Sequence, residues 1–118
     1  MGQMNIRTRP FEALPCLEQL HLFRTEHDGF IRDNRDLASD LDRLEYTLKE
    51  ADLIRSAENQ RRCQNAYRQA LLRLEEIAED QQRLCDESPL VPKIDAVYQS
   101  TKVFEVKKDF ETSLAGLL

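Results

Sequence analysis

At 118 residues the chain has room for one domain, or for one extended element with small appendages. With 41% hydrophobic and 33% charged residues, three glycines and no tryptophan, it is too apolar for a disordered tail and too charged for a large spherical core. A net charge of −5 disfavours nucleic acid as the main partner, because phosphate binding requires a basic face.

No stretch approaches the ~18 apolar residues of a membrane span, and residues 1–10 lack the apolar core of a signal peptide. Gly2 invites myristoylation, but that motif requires Ser or Thr at position 6 and the chain has Ile6. Cys16, Cys63 and Cys85 are odd in number and show no paired spacing. A reducing, intracellular setting is expected, cytoplasmic or nuclear.

In chain order, residues 1–12 read as a mobile arm carrying Arg7 and Arg9. A short helix is expected over 13–29. Pro15 suits its first turn, Leu17, Leu20 and Phe23 line one face, and Gly29 stops it. From Phe30 to Ser88 there is no glycine or proline, so 34–88 reads as a long coiled-coil-type element, capped by Asn34 or Asp36. Leu37, Leu41, Leu44, Leu48 and Ala51 follow at alternating steps of four and three, the spacing of a helical seam. Cys63, Tyr67, Ala70, Leu74, Ile77, Gln81 and Leu84 form a second such seam.

The two seams are out of register, since Ala51 and Cys63 are twelve residues apart and twelve is not a multiple of seven. Either a supercoil is interrupted or the chain bends back near Ser56 to Gln60. Tight reversals usually carry Gly or Pro, and Ser56 and Asn59 are weaker substitutes, so the sequence favours a continuous helix. Pro89 and Pro92 then impose a break over 89–93. Val103, Val106, Phe110, Leu114 and Leu117 predict a C-terminal helix over 94–118, with a short strand at 102–107 as the alternative. The fold class is all-α: a long coiled-coil-type helix, either straight or bent into a hairpin, flanked by short helices.

Charge is blocked along the long element. Residues 36–52 carry six acids and two bases, 54–73 five arginines against Glu58, and 74–88 six acids against Arg83. A parallel in-register homodimer would set like blocks together, which is unfavourable, so a heteromer with another helical protein is expected. Leu37, Leu41, Leu44, Leu48, Tyr67, Leu74, Ile77 and Leu84 are the expected partner contacts, with Arg55, Arg61, Arg62 and Arg68 selecting an acidic partner segment.

Catalytic and metal constellations are not expected, nor is any cofactor. His21 and His27 are six residues apart and do not share a helix face as an i,i+4 metal pair would. Glu75, Glu76, Glu79 and Asp80 read as a solvated acidic face rather than an acid–base site. Ser88-Pro89 is a dipeptide too common to signify a kinase site.

Leu17 to Phe23 with Asp28, the seam from Leu37 to Leu84, and Val91-Pro92 followed by Ala96-Val97-Tyr98 carry a resemblance in outline. The layout resembles the short coiled-coil subunits of the outer-kinetochore microtubule-attachment complex, particularly the smallest. That resemblance implies a non-enzymatic subunit of a larger complex, with a helical partner along its coil and a small end that docks on other kinetochore proteins. Helical chaperones and regulators of secretion systems resemble this architecture as well. A nucleic-acid-associated regulator using the arginine block is the alternative from another class.

Overall fold

The computed structural model describes residues 12–87 and 93–117, the side chains of 85, 87 and 93–100 excepted. The arm expected at 1–12 therefore lies, up to residue 11, outside the described residues. The same holds for residues 88–92, which carry most of the proline break, for the Val91-Pro92 pair and for the side chains of Ala96-Val97-Tyr98.

Five α-helices, and no strand among the described residues, make up the structure: α1 (Ala13–Glu26), α2 (Asp28–Asp33), α3 (Arg35–Leu53), α4 (Ala57–Glu87) and α5 (Lys93–Ser113). A 3-10 turn over Ala115–Leu117 closes the chain. The strand alternative at 102–107 is thus replaced by helix, because the apolar residues there continue the 3.6-residue period into Phe110 and Leu114.

Gly29 does not stop the first helix. The interruption falls at His27, whose backbone N–H donates to the Phe23 carbonyl at 3.0 Å, while the His27 carbonyl accepts from Ile31 and opens α2. Gly29 sits inside α2. No described glycine has a positive φ, so the left-handed conformation that makes glycine a helix stop is not used. Asn34 occupies the N-cap position of α3, but its side-chain amide donates back to the Phe30 carbonyl at 2.8 Å instead of capping the helix.

The continuous helix expected over 34–88 is divided at Ile54–Ser56. Ile54 turns extended, at φ −129° and ψ 105°, once its N–H has closed α3 on the Glu50 carbonyl. Ser56 Oγ then accepts from the Asn59 N–H at 3.0 Å, and the Asn59 side-chain amide donates to the Ile54 carbonyl at 2.8 Å. Two ordinary polar side chains therefore satisfy the orphan groups on both sides of the reversal. No glycine is required.

Beyond this turn α4 runs antiparallel to α3, with Arg62 beside Glu50 and Arg73 beside Asp40 and Asp36. α1 lies along α3, and α5 returns along α4 with Lys107 near Glu75 and the Leu117 carbonyl accepting from Gln64. The core joins Leu20 and Phe23 of α1, Leu37, Leu41, Leu44 and Leu48 of α3, Cys63, Tyr67, Ala70 and Leu74 of α4, and Val106, Phe110 and Leu114 of α5. Phe110 is central: its ring stacks on Tyr67 and tilts against Phe23, both at 5.1 Å between centroids. Such pairs add about 0.5–1.5 kcal/mol beyond burial.

The bundle is elongated, 64 × 26 × 21 Å with a radius of gyration of 17.0 Å. A compact chain of this length would be near ~13–14 Å. The cause is unequal helix length: α4 extends roughly 46 Å against roughly 28 Å for α3. Its last turns run past the start of α3, and there the second seam comes into solvent, with Leu84 60% exposed.

Truncating Phe110 to alanine should lower the unfolding free energy by about 3–5 kcal/mol, and Leu44→Ala by about 2–5. Phe104→Ala, on the outside of α5, should stay within about 0.5 kcal/mol. Urea denaturation followed by helical circular dichroism measures all three, and equal effects at Phe104 and Phe110 would contradict this core.

Burial raises the Cys16 and Cys63 thiols above their ordinary 9.0, Cys63 adding to the rise at Cys16. The folded chain thus holds these protons more tightly than the unfolded chain, a contribution present in full below about pH 9 and lost as pH rises through the folded values. Stability should decline as pH rises above about 9, and less steeply in a Cys16→Ala, Cys63→Ala double variant.

Candidate interaction surface

The two seams meet each other. Leu37, Leu41, Leu44, Leu48, Tyr67 and Leu74 are all buried within the chain, and Ile77 is half-buried against the same core. Of the expected partner contacts only Leu84 is exposed. The fold-back at Ile54–Ser56 is the reason: it supplies from the same chain the complementary helix that a rod would have taken from a partner. Another protein reaches these side chains only if helices packed over this core separate.

The charge blocks meet in the same way. The acidic α3 lies antiparallel to the basic first half of α4, so opposite signs are apposed without a second chain. Arg62 approaches Glu50 at 3.1 Å, and Arg73 reaches Asp40 at 3.0 Å, Glu76 at 3.1 Å and Asp36 at 3.9 Å. The Asp40 hydrogen bond, reinforced by the neighbouring carboxylates, raises the Arg73 guanidinium above its usual value. On the other flank Arg24 of α1 bonds Asp42 at 2.7 Å and lies 3.4 Å from Glu45.

These pairs leave a defined remainder. Arg55, Arg61 and Arg68 are exposed and make no ion pair among the described residues; Arg68 only approaches Asn65, at 3.5 Å. Arg43 of α3, which the sequence reading did not single out, is likewise exposed and unpaired among those residues. A groove of about 510 Å³ runs between α3 and α4, lined by Arg43, Tyr46, Thr47, Arg62, Asn65 and Gln69. Beside it, Arg61, Asn65, Arg68 and Leu72 form a stripe on the outer face of α4, at steps of four, three and four. Tyr46 is 60% exposed, and Leu53 and Ile54 project at the turn. Asp52 and Glu58 flank that turn and leave the face net positive.

The acidic cluster on α4 is engaged piecemeal: Glu75 faces Lys107, Glu76 faces Arg73, and Asp80 bonds Arg83. His21 and His27 take separate partners, His21 lying 3.8 Å from Glu45 and His27 bonding Asp109 at 2.7 Å. No described helix is long and apolar enough to cross a membrane. Comparison with protein-family models, curated proteins and solved structures finds no match.

Arg73→Glu, which sets a carboxylate against Asp36, Asp40 and Glu76, should lower the melting temperature, and Asp40→Arg in the same chain should recover part of the loss. Arg61→Glu and Arg68→Glu should leave melting unchanged. A thermal scan that ranked these variants the other way would invert the assignment of structural and free arginines.

Proposed function

We propose that the chain is a non-enzymatic helical interaction subunit that assembles with another helical protein in a larger complex, an outer-kinetochore assembly being one setting of that kind. The reading rests on one observation. With Arg62 and Arg73 paired to carboxylates of α3, Arg43, Arg55, Arg61 and Arg68 remain without acidic partners among the described residues, around the exposed Tyr46, Leu53, Ile54 and Leu72. The face they form lies on the α3–α4 side and suits an acidic, amphipathic segment of a partner, which would place its apolar residues on these four side chains. Fully burying a large apolar side chain contributes about 1.5–3 kcal/mol before the association entropy is deducted. A few anchors and a complementary rim reach a micromolar complex, about 8 kcal/mol.

Co-purification and mass spectrometry would identify the partner, and charge reversal would test the face. Reversing Arg43, Arg61 and Arg68 to glutamate should weaken binding and steepen no salt dependence, and acid-to-lysine changes on the partner should restore it. Leu72→Ala should weaken binding without altering stability. If the same arginine changes instead abolished a steeply salt-dependent affinity for DNA or RNA, the face would belong to a nucleic acid. Partner binding that survived all of them would remove the face from consideration.

A further inference from the structure

The interruption between α1 and α2 has a chemical consequence that is separate from the basic face. It brings Glu26 and His27 to Asp109 of α5, although His27 and Asp109 are 82 residues apart. One ligand atom from each of Glu26, His27 and Asp109 lies within 4.8 Å of the others. The His27 ring is held on its apolar side by Phe23, with centroids 4.9 Å apart, and its Nε2 lies 2.7 Å from Asp109 Oδ2. The adjoining cleft, about 230 Å³, is lined by His27, Thr101, Lys102, Glu105 and Val106. Glu105 stands one helical turn before Asp109 and faces the same side of α5. Two carboxylates, of Glu26 and Asp109, thus stand beside the imidazole, with Glu105 and Lys102 on the wall of the adjoining cleft.

We propose that Glu26, His27 and Asp109 bind a divalent transition-metal ion, zinc foremost, with water or Glu105 completing the coordination. The donor set argues for this class. One imidazole nitrogen with two carboxylate oxygens is a mixed set that zinc and its transition-metal neighbours accept, whereas magnesium and calcium take oxygen ligands throughout. A histidine–aspartate hydrogen bond accounts for two of the three groups. It does not account for Glu26, which makes no ion pair among the described residues and yet has its carboxylate within reach of both.

The geometry needs little rearrangement. In a tetrahedral site with bonds of about 2.0–2.1 Å, neighbouring donor atoms stand roughly 3.3–3.4 Å apart. The His27–Asp109 contact has to open by under ~1 Å, and the exposed Glu26 side chain has to close by a rotamer change. Bound there, the ion clasps the end of α1 to α5 and so raises stability by mass action.

The test is calorimetric titration of the full chain, stripped with chelator, with zinc, manganese and magnesium in separate arms. One zinc per chain is expected, with weaker manganese and no magnesium binding. His27→Gln and Asp109→Asn should abolish it, Glu26→Gln should weaken it by more than the roughly tenfold that losing an outer-shell partner costs, and Glu18→Gln should leave it unchanged. Zinc should raise the melting temperature of the unaltered chain and not of the His27→Gln variant. Should a variant fold poorly, histidine nitrogen NMR of the unaltered chain reads the site directly, since coordination shifts the His27 signal and leaves that of His21. Cobalt substitution should give ligand-field bands without thiolate charge-transfer bands. Absence of saturable binding, binding kept by His27→Gln, an unmoved His27 signal, or thiolate bands pointing to a cysteine would each overturn the proposal.

Discussion

The antiparallel packing of α3 on α4 is the contact on which everything else in this molecule depends. An amphipathic helix standing alone leaves its apolar stripe in water, and most helical stability in proteins comes from covering that face. Ser56 and Asn59 make the reversal, and the reversal lets Leu37, Leu41, Leu44 and Leu48 meet Cys63, Tyr67, Ala70 and Leu74. Together the two seams form a surface onto which α1 delivers Leu20 and Phe23 and α5 delivers Val106, Phe110 and Leu114. The same apposition brings the acidic block against the basic one. Apolar pattern and charge pattern therefore specify one register, the consistency across levels expected of a sequence with a single folded state.

Much of this was legible in the residues taken alone. The seam positions are the buried positions as far as Leu74, and Val103, Val106, Phe110, Leu114 and Leu117 are buried as their spacing requires. What periodicity does not contain is the origin of the complementary surface, because a seam reads the same whether its cover comes from its own chain or from another. The twelve-residue offset between Ala51 and Cys63 was the trace of the turn. The lack of glycine and proline masks it. The Ser56–Asn59 cap shows why that was the wrong criterion: a reversal built without positive φ needs hydrogen-bonding side chains, not glycine.

The candidate sites were less legible, for a related reason. Arg61 and Arg68 stand out within one helix, but Arg43 and Tyr46 belong to a groove that exists only after α3 and α4 have packed. Glu26, His27 and Asp109 are further from reach. Two lie at a helix interruption whose only mark in the sequence is Gly29 two residues on, and the third lies 82 residues away from His27. At i,i+4 spacing His27 meets only residues of its own segment, never Asp109.

Magnitudes decide which surface a partner can use. To bind the seam, another helix would first have to expose Leu37, Leu41, Leu44, Leu48, Tyr67 and Leu74, six side chains at 2% exposure or less. At about 1.5–3 kcal/mol each this amounts to roughly 9–18 kcal/mol, as much as the whole folding free energy of a typical domain, about 5–15. Seam exchange would therefore amount to unfolding. The basic face between the turn and Leu72 carries no such cost, since its apolar side chains are already in water and its free arginines break no internal pair when they engage. Arg62 and Arg73 differ in that respect: each would have to abandon a carboxylate of its own chain to bind a foreign one. The arginines of a single block in the sequence thus divide by their neighbours across the turn, some fixing α3 to α4 and the rest facing outward.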